Sequence, residues 1–167
     1  HTPNGRKVSI MLEEIGIPYN TFPINIAKDE QFQPHFLEVS PNNRIPAIVD
    51  KENNNYSLFE SGAILMYLAE KSGKLINKSN SDEYYRTIEW LMWQMGGVGP
   101  MFGQVHHFVK YNKGKSAYAE ERYSKEARRL YGVMDKRLGQ HQYISGKEYS
   151  IADISIWPWT ARFDWQE

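Results

Sequence analysis

The sequence predicts an α/β unit followed by an all-helical one, on three observations. Helix and strand signals alternate through the first half of the 167 residues. The second half carries helical periodicity alone, and a stretch dominated by Lys, Asn and Ser from Gly73 to Asp82 separates the two. The expected domains are 1–73 and 82–167.

In the first half, Thr2-Pro3 is an N-cap followed by Pro at the first helical position, where its missing N–H costs nothing. Val8, Met11, Leu12 and Ile15 make an apolar stripe, and Gly16 ends the helix. Tyr19–Ile26 is a short β-prone run. A short helix is expected over Phe32–Val39, with Pro34 in its first turn. Ile45–Val49 and Tyr56–Phe59 form a hairpin around the turn Asn53-Asn54-Asn55. Ser61–Lys71 is a helix with Ile64, Leu65 and Leu68 inward, closed by Gly73. The order α-β-α-β-β-α, with one hairpin and one crossover, predicts a mixed sheet with helices on its faces.

In the second half, Ser81 to about Met95 carries Ile88, Leu91, Met92 and Met95 on one face. A bend or break is expected where it meets Gly96-Gly97 and Gly99-Pro100. Ser116–Leu138 is the cleanest helix, with Tyr123, Ala127, Leu130, Tyr131, Met134 and Leu138 at the 3.6 period and Gly139 as its stop. Ser150-Ile151-Ala152-Asp153 is an Asp version of the capping box, with Tyr149 and Ile154 placed to form its hydrophobic staple. The helix it opens is expected to run to Ile156, where Trp157-Pro158 interrupts the pattern.

Composition narrows the chemistry. Lys plus Arg and Asp plus Glu both number 20, and no basic run exceeds Arg128-Arg129, so a nucleic-acid partner is not expected. No stretch approaches the roughly 18 apolar residues of a membrane span. No signal-peptide pattern opens the chain, which makes the cytoplasm the expected location. Cysteine is absent, which removes disulfides and protein thiolates as nucleophiles or ligands. Thiol chemistry in this chain therefore needs a thiol brought by a ligand. His106-His107 are adjacent and so lie on different helix faces, without a third ligand at usual spacing, and no metal is expected. Their expected roles are lining a cleft or satisfying buried partners.

Four segments together resemble the glutathione transferases. They are Thr2-Pro3-Asn4-Gly5, Ser40-Pro41-Asn42-Asn43-Arg44-Ile45-Pro46-Ala47, Leu58-Phe59-Glu60-Ser61-Gly62-Ala63-Ile64-Leu65 and Tyr149-Ser150-Ile151-Ala152-Asp153. Gly99-Pro100-Met101-Phe102-Gly103-Gln104 with His106-His107-Phe108 narrows the likeness to the nu-class branch, the glutathione-dependent disulfide-bond oxidoreductases. The resemblance implies a thioredoxin-like glutathione-binding domain and a helical C-terminal domain, assembled as a homodimer. The family has a central strand directly before the Thr-Pro-Asn turn and further helices after the capping-box helix, so the chain is expected to be truncated at both ends, its first strand missing.

The resemblance also implies the site. Glu60 and Ser61 take the γ-glutamyl end of glutathione, where a helix N-terminus suits a carboxylate. The backbone of Ile45, before a cis Ile45–Pro46 bond, takes the cysteinyl part. Gln31 and Arg44, with Arg122 from the helical domain, take the glycyl carboxylate. Thr2 and Asn4 face the sulfur as donors rather than proton acceptors. The implied reaction is thiol–disulfide exchange, with conjugation of electrophiles and peroxide reduction open to the same thiolate. A regulatory member that kept the fold and lost turnover is the alternative from another class. Taken singly, Thr2-Pro3-Asn4 is an ordinary helix start, Glu60-Ser61 an ordinary strand-to-helix cap, and Glu120-Glu121-Arg122 an ordinary solvated face.

Overall fold

A computed structural model describes residues 2–166. The chain divides into two compact units, His1–Lys74 and Leu75–Glu167. In the first, helix α1 (Pro3–Ile15) starts at the Thr2 cap and ends at Gly16, whose φ of 74° is a left-handed turn that glycine takes without strain. Lys74 Nζ donates to the Ile15 carbonyl, placing positive charge at the negative end of that helix. Helix α2 (Pro34–Leu37) follows two single 3₁₀ turns. Strands β1 (Ala47–Asp50) and β2 (Tyr56–Phe59) form an antiparallel hairpin in which Ala47 faces Phe59 and Asp50 faces Tyr56. Helix α3 (Ser61–Ser72) packs against α1. Val8, Met11, Leu12 and Ile15 meet Ile64, Leu65, Leu68 and Ala69 in this core, all buried. Each of the larger of these side chains contributes about 1.5–3 kcal/mol on burial.

Two expectations fail in this unit. The run Tyr19–Ile26 is not a strand. It is irregular up to a 3₁₀ turn at Ile26–Lys28, with Tyr19, Phe22 and Ile26 exposed. A β-prone run becomes a strand only against a ladder partner, and none of the described strands pairs with it. The sheet among the described residues is therefore the hairpin alone, without the expected crossover. The short helix also begins at Pro34 rather than Phe32, since proline at the first helical position bars the α conformation at Gln33, whose ψ is 143°. Ile45-Pro46 is a cis peptide, and β1 begins just beyond it.

The second unit is helical: α4 (Ser81–Trp93), α5 (Gly99–Val105), α6 (Ala117–Leu138) and α7 (Ile151–Thr160). The break expected at the glycines does not occur. The backbone widens into a π-helical stretch, Gln94–Val98, and continues into α5 with Pro100 in its first turn. Widening accommodates a proline that has no N–H to give and crowds the preceding turn. A second π stretch, His106–Tyr111, follows α5. Likewise α7 runs through Pro158 to Thr160, because Ile154, Ser155, Ile156, Pro158 and Trp159 are buried and packing outweighs one lost hydrogen bond. Gly139 ends α6 in right-handed rather than left-handed geometry. Met92 and Leu138, expected inside, are 47% and 44% exposed.

The core of this unit joins Val98, Phe102, Val105, Ala127, Leu130 and Trp159, with a second cluster of Met134, Ile144, Ala152 and Ile156. The capping box is present: Ser150 Oγ accepts from the Ala152 N–H, and Asp153 Oδ2 accepts from the Ser150 N–H at 3.0 Å. Tyr149 packs its ring at 5.7 Å from that of Tyr143. None of the helices among the described residues is long and apolar enough to cross a membrane.

Candidate functional site

Thr2 and Asn4 stand at the start of α1. Thr2 has extended backbone angles, and its Oγ1 accepts from the Gly5 N–H at 3.2 Å. Accepting one bond leaves the hydroxyl hydrogen available to donate. A Cβ on Gly5 would stand 3.3 Å from Thr2 Oγ1, so any side chain there would crowd the hydroxyl. Asn4 follows in the same turn, half-buried, where backbone N–H groups and the helix dipole favour negative charge.

The loop from Ser40 to Pro46 is closed from within. Ser40, fully buried, donates to the Arg44 carbonyl oxygen at 2.8 Å. Asn43 has a φ of 46°, and its side-chain oxygen accepts from the Arg44 guanidinium at 2.7 Å. Arg44 is thereby turned along its own loop, with its side chain exposed. Ile45, half-buried, leads into the cis bond.

At the start of α3, Glu60 occupies the N-cap with φ 71° and ψ 111°, a conformation side chains rarely adopt. Such backbone costs of order 1–3 kcal/mol and collects at functional sites. The Asn42 amide donates to Glu60 Oε1 at 3.5 Å, at the limit of a hydrogen bond, so the carboxylate is exposed yet tied to the preceding loop. Ser61, the first helical residue, is 3% exposed.

Beneath Ser61 lies a group that the sequence reading missed. Lys7 of α1 is 1% exposed, and its Nζ donates to Ser61 Oγ at 3.2 Å. Burial pushes its ammonium group down to about 7, against a smaller upward pull from the Glu60 carboxylate. The signal was present: Lys7, Met11 and Ile15 are four residues apart, so a side chain in line with two core residues had to enter the core.

Of the predicted residues, hydrogen bonds join the loop at Asn42 to Glu60, and α1 at Lys7 to Ser61. Gln31 and Arg44 make no hydrogen bond to that corner. Gln31 is 8% exposed; its Nε2 donates weakly to Asp29 Oδ1 at 3.5 Å, and its buried Oε1 has no hydrogen-bond partner. Its spare capacity is the Oε1 acceptor and the second N–H of Nε2. Arg122 lies in the second unit, exposed on α6.

His106 satisfies a buried partner: its Nε2 lies 3.1 Å from Gln166 Nε2, and its ring stacks 5.8 Å from Trp159. His107 is exposed beside Asn112. No cluster of three or more His, Cys, Asp or Glu suited to a metal occurs among the described residues.

Comparison with known proteins gives family matches in both units. Residues 1–70 match the model of the glutathione S-transferase N-terminal domain, and residues 117–164 that of the C-terminal domain. The disulfide-bond oxidoreductase YfcG of Escherichia coli is 49% identical over 162 residues, which are 95% of this chain and 75% of that protein. The disulfide-bond oxidoreductase YghU of the same organism is 44% identical over 95% of this chain and 57% of its own length. A glutathione transferase from Pseudomonas putida, solved with one glutathione disulfide bound per subunit, superposes with a TM-score of 0.90 at 49% identity, covering 96% of this chain and 71% of that one.

Proposed function

The chain belongs to the glutathione S-transferase family, and from that premise we propose that it is a glutathione-dependent disulfide-bond reductase using a bound glutathione thiolate. The observation that carries the reading is the first turn of α1 in a chain without cysteine: Thr2 and Asn4 sit where a helix N-terminus favours an anion, and no protein thiol competes. The names of the two Escherichia coli relatives and the disulfide bound to the Pseudomonas putida protein support the same reading.

In this mechanism the γ-glutamyl carboxylate sits at the start of α3 on Ser61, with Glu60 toward the ammonium group. The cysteinyl backbone runs along Ile45, and the glycyl end lies toward Gln31 and Arg44. Thr2 and Asn4 donate to the sulfur. A free thiol has a pKa of about 8.5, and each unit of lowering takes about 1.4 kcal/mol of preference for the thiolate. The thiolate attacks one sulfur of the substrate disulfide; that S–S bond breaks, and the other half leaves as a thiolate that takes up a proton. A second glutathione attacks the mixed disulfide at the glutathione sulfur, releasing the remaining thiol and glutathione disulfide. Residues 1–73 are the glutathione-binding domain and 82–167 the helical one. A homodimer in the cytoplasm belongs to the same reading.

The test is turnover of 2-hydroxyethyl disulfide with glutathione, run beside conjugation of chlorodinitrobenzene. Disulfide turnover with little conjugation supports the proposal. Conjugation alone makes the protein a conjugating transferase, and glutathione binding with neither activity makes it a regulatory member of the fold.

A further inference from the structure

A cation in the interior needs a reason, and Lys7 has one in its position. Lysine is almost never fully buried unless partnered, and transfer of an ammonium group from water is costly. Here the ammonium group stands against the first residue of α3, on the core side of the helix end that the proposed mechanism gives to a carboxylate. We propose that Lys7 is a positioning residue for anion capture at the start of α3, fixing the Ser61 hydroxyl as a donor that faces away from the core. This inference rests on the reading that the glutamyl carboxylate of glutathione binds there.

The argument is one of hydrogen-bond direction. A charged ammonium group has only donors, so at 3.2 Å Ser61 Oγ must accept from it. With that lone pair engaged, the hydroxyl hydrogen turns away from Lys7. A charge-assisted bond also polarises the O–H, which strengthens its donation to an anion. If Lys7 loses its proton, the neutral amine becomes an acceptor, and Ser61 can turn its hydrogen inward. The direction then reverses and the anion loses both a donor and a nearby positive charge. The pKa of about 7 places this reversal in the neutral range. Ser61 and the Glu60 carboxylate are among the groups that face Lys7 from the α3 side. On α1 itself the residues one turn away are Pro3, Asn4, Ile10 and Met11, none charged.

Calorimetric titration of the full chain tests this with two probes. S-methylglutathione removes the thiol from the titration, and its analogue with the glutamyl α-carboxylate converted to a carboxamide removes the proposed target. On the unsubstituted protein, affinity for S-methylglutathione relative to the carboxamide should fall at least threefold from pH 6 to pH 8. The α-carboxamide lowers the pKa of its neighbouring amine to about 8, so each affinity is first corrected for the protonated fraction of its own ligand amine. Lys7→Met should weaken S-methylglutathione binding about tenfold, the scale of one charge-assisted bond, with no change for the carboxamide, and Lys7→Arg should restore most of it. In a Ser61→Ala background, Lys7→Met should cost clearly less, because Lys7 acts through Ser61. A flat affinity ratio across pH, or equal binding of S-methylglutathione by Lys7→Met and the parent, overturns the role of Lys7 while leaving the glutathione reading intact. If Lys7→Met does not fold, the pH ratio of the parent decides alone. No binding of S-methylglutathione by the parent protein at millimolar concentration sinks both.

Discussion

Asp153 Oδ1 accepts a hydrogen bond from the backbone N–H of Ile144 at 2.8 Å, while its Oδ2 accepts from the N–H and the hydroxyl of Ser150 at 3.0 Å each. One carboxylate thus closes the start of α7 and pins the loop that enters it. Ile144 is 2% exposed, so its N–H has no ready recourse to water once Asp153 is gone. Asp153→Ala should lower stability by about 2–4 kcal/mol, the loss of a cap and a charged partner to a buried donor. All five tryptophans lie in the same unit, so the midpoint of urea unfolding followed by their fluorescence reads this directly. An unchanged midpoint would remove Asp153 from the account of this helix.

The first turn of α1 should separate chemistry from binding. Asn4→Ala is expected to lower disulfide turnover more than tenfold while glutathione affinity changes by less than about threefold, since a donor aimed at developing charge acts on rate. The measurement is kcat with 2-hydroxyethyl disulfide against calorimetric affinity for glutathione. Equal turnover in the variant would take Asn4 out of the mechanism.

The hairpin carries an acid-sensitive contact. Lys71 Nζ lies 2.5 Å from Asp50 Oδ2, and the Tyr67 hydroxyl donates to the same oxygen at 2.6 Å. Lys71 chiefly, then Tyr67, holds the Asp50 carboxyl at about 2, below the usual 3.9 or so. A depressed carboxylate stabilises the fold above its unfolded pKa and loses that contribution as pH falls from about 4 through 2. Asp50→Asn should therefore be less stable than the parent at pH 7, with the gap shrinking by pH 2. Urea midpoints from far-UV circular dichroism at both pH values check it; a gap that widened in acid would contradict it.

Two glycines of the helical unit should answer in opposite directions. A Cβ on Gly99 would stand 2.7 Å from Gln94 Nε2 and 3.4 Å from Trp159 Nε1, in a place where Gln94 is fully buried. Gly99→Ala should cost about 1–3 kcal/mol by overpacking. Gly132 sits within α6, exposed, with nothing within 4 Å of its Cβ position. Gly132→Ala should raise stability by about 0.5–1 kcal/mol through helix propensity. The fluorescence-detected urea midpoint distinguishes them.

What the sequence determined by itself was local. Thr2-Pro3 and Ser150 through Asp153 set their helix starts, because a cap is satisfied within three residues. The spacing of Val8, Met11, Leu12 and Ile15 set the buried face of α1, and the absence of cysteine set the source of any thiol. Tertiary structure decided what depends on distant partners. Tyr19–Ile26 had strand propensity but no ladder to join, and the glycines after Trp93 widened a helix that packing carried onward. Above all, Lys7 meets Ser61 across 54 residues. The helical period could place that lysine inside, but only the packing of α1 on α3 puts its charge beside the hydroxyl that opens the second helix.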